Sequence, residues 1–303
     1  MSWGGRSYHI EPYKPWMAEG MKLLREDTAA RHGAPCLWAV GEEWLWPGTL
    51  CALRGSRLIA TAQVRPIVIA TAAGEPHKLY LSINTLTRWE GDGELYLQLF
   101  LRILAQAGAM AAVLPTGHPA LLGVSLLGTE RAARTFYEAQ GFLSVLHILA
   151  MEGSTDCAAM LPGAQITAEP GPLEDTFEAQ AEGETLTLDM LGLPEPDHSG
   201  PPRQTVLVAR RDDRVCGRLL LYEQGAAASI EDVYVARDCR GRGIAQALVA
   251  DGLRLLAQRG YKRANLQVLS GNFAALALYR KLGFRQISEE FRYQRALNWE
   301  KQE

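Results

Sequence analysis

The sequence predicts an α/β protein built as two tandem domains, each with a mixed sheet covered by helices. Its 303 residues, 48% of them hydrophobic, suffice for about two cores of ordinary size. A series of strand and helix patterns in the first half recurs in the same order in the second. Each series runs strand, helix, several strands, helix, strand, helix and strand, which is typical of a mixed sheet flanked by helices.

The repeat begins with a short strand before a helix. His9-Ile10-Glu11-Pro12 precedes the first helical pattern, and Thr167-Ala168-Glu169-Pro170 holds the same place in the second half. A hairpin follows in each half, because apolar and polar residues alternate on both sides of polar turns at residues 54–57 and 211–214. The sequence therefore predicts corresponding antiparallel strands in the two halves.

A glycine turn and a long helix form the next repeated unit. Residues 88–93 (RWEGDG) and residues 240–245 (RGRGIA) each precede a long run with helical periodicity of its apolar residues. We expect these helices to end at Gly108 and Gly260, because glycine commonly follows the last turn of a helix.

A short helix and a strand complete each half. Residues 136–142 (FYEAQGF) match residues 278–284 (LYRKLGF) in spacing. The two halves meet in a stretch with Gly, Ser and Pro at residues 153–163. We therefore predict an N-terminal domain over residues 1–153 and a C-terminal domain over residues 164–303.

Composition and charge argue against several classes of protein. A formal net charge of −3 gives no chain-wide basis for nucleic-acid binding. The first residues lack the basic and apolar regions of a signal peptide, and no uncharged apolar run is long enough to span a membrane. Five cysteines without a CxxC pair and six isolated histidines favour neither a disulfide framework nor a metal site. We expect a cytoplasmic protein without a bound metal.

The turn at residues 240–245 is predicted to hold a phosphate group. It lies between the strand pattern of residues 230–235 and the start of a helix, where the first backbone amides have no intrahelical partner. Gly241 and Gly243 let the backbone approach an anion, and the two arginines of the turn add positive charge. The turn lacks the GxGxxG of dinucleotide sites and the Gly-Lys-Ser/Thr of Walker loops. We interpret it as a pyrophosphate site.

These residues resemble the GNAT superfamily of acyl-CoA-dependent N-acyltransferases. Arg240-x-x-Gly243-x-Ala245 is similar to the family signature Arg/Gln-x-x-Gly-x-Gly/Ala. A second family motif follows: a strand at residues 265–269, then Asn272, then a short helix that carries Tyr279 and ends at Gly283-Phe284. Two linked motifs at the expected separation make the resemblance specific.

The resemblance covers residues 165–297 well and residues 5–152 more weakly. It implies two tandem GNAT-like domains, each a mixed, mostly antiparallel sheet with splayed parallel central strands. The tandem arrangement resembles that of mycothiol synthase-like proteins of this superfamily. Acetyl-CoA is the implied acyl donor, with its pantetheine arm along the strand and its pyrophosphate on the turn. The implied coenzyme-binding residues are Val233, Tyr234, Val235, Arg240, Gly241, Arg242, Gly243, Ile244, Ala245 and Asn272.

Two side chains are candidates for acid and base catalysis. The family position implies that Tyr279 protonates the leaving thiolate, although the same tyrosine could simply pack its helix against the sheet. Glu231 and Asp232 begin the central strand, where the family often holds a carboxylate near the acceptor amine. We expect one of them to face the acceptor, because strand side chains alternate faces, and we prefer Glu231 as general base. Both could instead be solvated acids, and Asn272 could equally cap its helix.

The N-terminal copy differs in charge. Glu90, Asp92 and Glu94 surround its glycine turn, and carboxylates there oppose the binding of a pyrophosphate. Glu130 replaces the equivalent of Asn272. We therefore predict a catalytically silent domain that helps to shape the acceptor cleft, in which Tyr137 is structural.

The acceptor is predicted from an acidic region. Residues 135–202 contain twelve acids and no Lys or Arg. The resemblance implies that the segment after the first strand of the second half and up to its hairpin, here the acidic block up to the loop from Asp189 to Pro202, forms the acceptor wall. Alternatively, these acids belong to a solvated helix face and a loop. We expect a cationic small-molecule amine as acceptor, with a neutral or anionic amine as the alternative.

The predicted protein is a monomer or homodimer without nucleic-acid or membrane partners. The alternative function is that of a noncatalytic acyl-CoA sensor or scaffold.

Overall fold

A computed structural model describes six stretches of the chain, namely residues 8–32, 48–72, 74–156, 165–170, 203–211 and 214–297. The described helices are α1 (Ala18–His32), α2 (Gly93–Val113), α3 (Arg131–Ala139), α4 (Ile244–Gln258) and α5 (Phe273–Lys281). The described strands of the first half are β1 (His9–Pro12), β2 (Leu50–Arg54), β3 (Arg57–Val68), β4 (His77–Thr85), β5 (Ala120–Leu127) and β6 (Leu143–Ser154). Those of the second half are β7 (Gln165–Pro170), β8 (Arg203–Arg211), β9 (Arg214–Gln224), β10 (Ala227–Val235), β11 (Arg263–Leu269) and β12 (Arg285–Ala296).

The described residues form two compact units. Unit 1 comprises those up to Leu146 and those from Glu290 onward, and unit 2 comprises those from His147 to Glu289. In unit 1 the strand order is β1-β2-β3-β4-β5-β12, and in unit 2 it is β6-β11-β10-β9-β8-β7. Neighbouring strands are antiparallel except for one parallel pair in each unit, β4 with β5 and β10 with β11. The predicted class, mixed and mostly antiparallel sheets flanked by helices, is confirmed.

Each unit takes its final strand from the other half of the chain. β12 follows the last helix of the second half, yet its residues from Glu290 onward pair with β5 in unit 1. β6 belongs to the first half, and its residues from His147 onward pair with β11 in unit 2. This exchange is a feature that the repeat in the sequence does not predict.

The position of a glycine predicts the end of α4 but not the end of α2. α4 ends at Gln258, close to the predicted Gly260, whereas α2 continues past Gly108 to Val113. The prediction for α2 is wrong because the residues after Gly108 are Ala, Met, Ala, Ala and Val, which continue the helix.

Among the described residues, α2 is the one helix that is long and apolar enough to cross a membrane. Its residues Leu95, Leu99 and Ile103 are fully buried in the core of unit 1. A core helix of a soluble protein passes the same test of length and composition, so α2 is a weak indication of a membrane span.

Candidate active site

The two parallel strands of unit 2 pair over only two positions. Ser229 lies opposite Asn265 and Ile230 lies opposite Leu266, after which both strands continue without pairing to each other. On their outer sides, β10 remains paired with β9 and β11 remains paired with β6. The gap therefore opens between the two parallel strands, as the family resemblance implies, and it leaves backbone groups of residues 231–235 facing it.

Two glycines with left-handed backbone angles carry the chain from β10 into α4. Gly241 has φ 75° and Gly243 has φ 78°. Apart from its neighbours in sequence, no atom of the described residues lies within 4 Å of the place where a Cβ would stand at either position. Glycine is therefore required by the backbone conformation, which costs other residues roughly 1–2 kcal/mol, and the space above the turn is open.

No side chain of the described residues caps the N-terminus of α4. Gly243 is the N-cap residue, and the first helical hydrogen bond runs from the Ala247 N–H to the Gly243 carbonyl at 2.9 Å. The preceding amides therefore lack an intrahelical acceptor at the positive end of the helix. Arg240 and Arg242 are exposed beside them, and the Nε of Arg240 donates to the Val235 carbonyl at 3.0 Å. Chemically, this end of the helix can hold an anion.

A β-bulge determines where the carboxylates of β10 point. The register with β9 shifts between Ile230 and Asp232, so Glu231 is an extra residue in the strand. By this register Ile230 and Val233 face α4, whereas Ser229 and Asp232 face away from it. Glu231 accepts a hydrogen bond from the Ser229 hydroxyl and so lies on the same side. The expectation that only one carboxylate occupies a given face is wrong, because the bulge interrupts the alternation.

Arg218 is a charged neighbour of this pair that the sequence reasoning missed. Its Nε and Nη2 lie 3.1 and 3.0 Å from Oδ2 of Asp232. The register of the β9–β10 hairpin sets Arg218 opposite Tyr234. Asp232 precedes Tyr234 by two residues on the same face of β10, so the Arg218 side chain can reach it. An alternating hairpin pattern indicates the strands but not this register, so the sequence offers no direct signal for the ion pair.

Tyr279 lies at the inner end of the site. Its side chain is 7% exposed and packs against Phe284, with the ring centroids 5.8 Å apart. Burial, followed by the negative charge of Asp232, raises the pKa of Tyr279 to about 12. The hydroxyl is therefore protonated at neutral pH, and the carboxylate of Asp232 is close enough to affect it.

Two amide side chains complete the described part of the site. The Oδ1 of Asn272 accepts the Ala275 N–H at 3.2 Å and caps α5, one of the two roles considered for it. Gln267 lies on β11 beside the gap, and its buried Oε1 has no partner within the described part of the chain. Sequence reasoning missed Gln267, because a glutamine within a strand carries no signal of its own.

In unit 1, the helix N-terminus after the glycine turn is capped by a side chain of that turn. Asp92 caps α2 by accepting the Leu95 N–H at 3.1 Å, in contrast to the uncapped α4. Glu90 forms an ion pair with Arg31 at 3.4 Å, and Glu94 lies in the first helical turn. A capped helix end with carboxylates beside it repels an anion.

A tyrosine lies at the gap between the parallel strands of unit 1. β4 and β5 pair as far as Tyr80 and Gly123 and then separate. By these registers Tyr80 lies on the same face of the sheet as Ser125 of β5. The corresponding last paired residue of β10 is Ile230, which faces α4 instead.

The counterparts of Asn272 and Tyr279 in unit 1 serve other contacts. Glu130 does not cap α3, and its Oε2 accepts the Leu127 N–H at 2.7 Å. Tyr137 is fully buried, and its hydroxyl has no partner among the residues that the structure describes. Burial raises the pKa of Tyr137 well above its usual value. Both side chains lie within the fold rather than beside an open turn.

Residues 171–202, which include Glu178, Glu182, Asp189 and the loop from Asp189 to Pro202, lie outside the described residues. Over the described stretches, no group of three or more His, Cys, Asp or Glu side chains is arranged to hold a metal ion. Cys51, Cys216 and Cys239 are buried free thiols.

The second half of the chain is similar to a known family. Residues 173–284 match the sequence profile described as "Acetyltransferase (GNAT) family". This stretch includes the glycine turn, the carboxylate pair and Tyr279. The family resemblance predicted from the two motifs is confirmed.

Curated relatives match a shorter stretch. A mycothiol acetyltransferase from Clavibacter sepedonicus is 38% identical over 95 residues, which are 31% of this chain and 31% of that protein. A second one, from Saccharomonospora viridis, is 40% identical over 67 residues, or 21% of this chain and 22% of the relative. The chain therefore aligns with about a third or less of the length of these relatives.

Solved structures with the same fold cover nearly the whole chain. A GCN5-related N-acetyltransferase from Sphaerobacter thermophilus has a TM-score of 0.64 at 19% identity and covers 96% of both chains. A tandem GNAT protein from the clavulanic acid biosynthesis pathway has a TM-score of 0.60 at 13% identity, covering 97% of this chain and 100% of that one. At these identities the likeness concerns the fold, and the predicted tandem arrangement of two similar sheets is confirmed.

Proposed function

We propose that the protein is an N-acetyltransferase that moves an acetyl group from acetyl-CoA to a primary amine of a small molecule by direct attack. The observation that carries the proposal is the uncapped N-terminus of α4 beside the open gap between β10 and β11. A pyrophosphate suits the free amides, and an extended amide-bearing arm suits a strand edge without a partner. The family match of residues 173–284 supports the same reaction class.

Acetyl-CoA supplies the reactive thioester, and the residues of unit 2 bind and orient it. Residues 240–245 hold the pyrophosphate, and the backbone of Val233, Tyr234 and Val235 pairs with the pantetheine arm. The buried Oε1 of Gln267 is available to accept an amide N–H of that arm. Asn272 fixes the start of α5 and with it the position of Tyr279.

Proton transfer involves two side chains of this chain. Glu231 takes a proton from the acceptor ammonium, directly or through water, so that the amine is neutral when it attacks. Tyr279 donates a proton to the departing thiolate. Its pKa of about 12 keeps it protonated but lowers the driving force for donation, so the position of the hydroxyl is decisive.

The N-terminal domain, residues 1–153, is proposed to be catalytically silent. Its helix N-terminus is capped by Asp92, and Glu130 stands where Asn272 lies in the other copy. The working domain is residues 164–303 together with the strand that β6 contributes to unit 2.

The acceptor is proposed to be a cationic amine. Glu231 and Asp232 share one face of β10, and Arg218 offsets only part of their charge. The acidic residues 174–197 add to this potential by sequence. Several relatives are named mycothiol acetyltransferases, so their acceptor belongs in any panel of candidate amines. Turnover that is unaffected by salt and by neutralising Glu178, Glu182 and Asp189 would count against a cationic acceptor.

The reaction is tested by the release of free coenzyme thiol from acetyl-CoA across a panel of amines. We expect amine-dependent release by the wild-type protein and a loss of 10²–10⁴-fold in kcat for Tyr279→Phe and Glu231→Gln, the range typical of general acid and base residues. Tyr261→Phe is the matched control, because this phenol makes only a long 3.4 Å contact with the Gly225 carbonyl and lies away from the gap.

Coenzyme binding is measured in parallel by calorimetry. Tyr279→Phe is expected to bind CoA with nearly wild-type affinity, since its hydroxyl acts on the leaving thiolate. Tight CoA binding with no thiol release for any amine would instead favour the noncatalytic sensor. An absence of both would contradict the proposed site itself.

A further inference from the structure

The outward side of α2 is apolar as well as its buried side. Four residues at helical spacing share this outward face: Leu101, Leu104, Ala105 and Gly108. Leu101 is 51% exposed, and Leu97, one turn earlier, is 38% exposed. From residue 95 to residue 113 the one charged residue is Arg102. Because a surface helix normally turns polar residues outward, this face is a candidate contact surface.

A groove of about 630 Å³ lies between this face of α2 and the end of β12, and it is here called the α2 groove. Its walls are the four residues of α2 and residues 295–297. The Leu297 N–H donates to the Ala120 carbonyl at 2.8 Å, which holds the chain at this end of β12. The small residues Ala105 and Gly108 leave the groove open on the helix side. Its volume lies within the range of roughly 300–1,000 Å³ that is typical of sites for small organic ligands.

Arg295 supplies a positive charge at the wall of the α2 groove. Its Nη1 donates to the Gln140 carbonyl at 2.8 Å, and its guanidinium lies 5.5 and 5.1 Å from the ring centres of Phe100 and Phe142. No carboxylate of the described residues forms an ion pair with Arg295, and burial lowers its pKa. The guanidinium is therefore held in place by a carbonyl and two rings, and it keeps N–H donors for an anion.

The combination of an apolar face and one cation selects a class of ligand. A purely apolar molecule would cover Arg295 without pairing its charge, which is costly. A small polar anion would leave Leu101 and Leu104 in contact with water. A molecule with an alkyl chain and one carboxylate satisfies both, since a planar guanidinium binds a carboxylate through parallel hydrogen bonds.

We propose that the α2 groove binds a small amphipathic carboxylate, with its alkyl chain along Leu101, Leu104 and Gly108 and its carboxylate on Arg295. Burial of the chain removes apolar surface of both the ligand and α2 from water. All residues of the groove belong to unit 1, so the proposal does not depend on acetyl transfer in unit 2.

Calorimetric titration of the full-length chain with decanoate, below the concentration at which it forms micelles, tests the site. We expect saturable binding. Hexanoate is expected to bind at least tenfold more weakly, because each methylene lost from the groove lowers the affinity several-fold. Decanol, which lacks the charge, is also expected to bind at least tenfold more weakly. An affinity for decyltrimethylammonium equal to that for decanoate overturns the proposal.

Gly108→Leu fills the groove without disturbing the helix. Apart from chain neighbours and the backbone of its own helix, no atom of the described residues lies within 4 Å of the Cβ position of Gly108. Leucine also favours a helix more than glycine does, so stability is expected to be unchanged or raised. Decanoate binding is expected to fall at least tenfold. Ala109→Leu is the matched control, since Ala109 is exposed on α2 outside the groove, and it is expected to bind within twofold of the wild type.

Arg295→Gln tests the charge separately from the fold. Its affinity for decanoate is expected to fall at least tenfold while that for decanol stays within twofold, so that the preference for the acid is lost. Arg102→Gln is the control, because Arg102 is an exposed cation of α2 that does not line the groove. A preference for decanoate that survives Arg295→Gln contradicts the proposed contact. If this variant fails to fold, wild-type decanoate affinity in Gly108→Leu still overturns the proposal.

The pyrophosphate turn and self-association need their own controls. Decanoate binding is expected to persist in Arg240→Gln/Arg242→Gln, and its loss in that variant would place the anion at the turn instead. Sedimentation velocity is expected to give the same oligomeric state for the wild type and Gly108→Leu. A wild-type dimer that Gly108→Leu converts to a monomer would show that a second copy of the chain covers the groove, which overturns the proposed ligand.

Discussion

Asn272 and Glu130 occupy corresponding positions in the two halves but form different hydrogen bonds. The amide of Asn272 accepts from a helical N–H and exposes the start of α5 to the proposed coenzyme site. The carboxylate of Glu130 turns back to the Leu127 N–H, and burial raises its pKa to about 7 despite that bond and nearby Arg31. One substitution thus replaces an exposed neutral cap with a partly buried titratable group.

The raised pKa of Glu130 makes the stability of unit 1 depend on pH. The folded state holds the proton up to about pH 7, whereas the unfolded chain releases it near 4.5. The stabilisation is therefore complete below about pH 4.5 and is lost as pH rises to about 7. Relative to Glu130→Gln, the wild type is expected to lose up to roughly 3 kcal/mol of unfolding free energy between pH 5 and pH 8.

Urea unfolding followed by tryptophan fluorescence measures this effect in the correct unit. No tryptophan occurs between Trp89 and Trp299, so none of the signal comes from unit 2. Glu19→Gln, an exposed carboxyl on α1, serves as the control and is expected to track the wild type. Identical pH profiles for the wild type and Glu130→Gln would contradict a buried, protonated carboxyl.

At the scale of elements, the sequence predicts strands and helices better than their registers. The anion-binding turn before α4 can be predicted from local backbone chemistry, whereas the gap beside α4 is implied by the family resemblance. The bulge at Glu231 and the Arg218–Asp232 ion pair depend on how β9 and β10 align. That alignment is fixed by packing against α4, so alternation within a single strand leads to the wrong face for one carboxylate.

The turn before α4 permits a test that separates backbone strain from coenzyme binding. Gly243 and Gly260 begin and follow the same helix, have φ values of 78° and 93°, and have open space at Cβ. Alanine at either position is expected to cost roughly 1–2 kcal/mol of unfolding free energy, because both need the left-handed region.

CoA affinity distinguishes the two glycines. Gly243→Ala is expected to weaken CoA binding at least tenfold in calorimetry, because relief of the strain turns the free amides away from the pyrophosphate. Gly260→Ala is expected to stay within twofold of the wild type. Equal affinities in the two variants would show that the turn does not hold the coenzyme.

At the scale of the whole molecule, the internal repeat predicts two similar sheets but not their final strands. A repeat in sequence indicates which segments have the same structure. The repeat does not indicate which of the two final strands, β6 or β12, completes a given sheet, because the two strands are equivalent in the repeat. The exchange is decided by tertiary packing, such as that of Phe284, whose ring lies against the backbone of Gly153 in unit 2.

The exchange predicts which fragments of the chain fold. Fragment 164–303 corresponds to the predicted C-terminal domain but lacks β6, which pairs with all seven residues of β11. Its β11 edge would be exposed next to the coenzyme gap, and such an edge promotes aggregation. Fragment 143–289 contains β6 and all described strands of unit 2. We expect this fragment to be soluble and to unfold cooperatively. Its affinity for CoA is expected to lie within about threefold of that of the full chain, a difference in binding free energy below roughly 1 kcal/mol. CoA binding by fragment 164–303 as tight as that by fragment 143–289 would show that β6 is dispensable for the site.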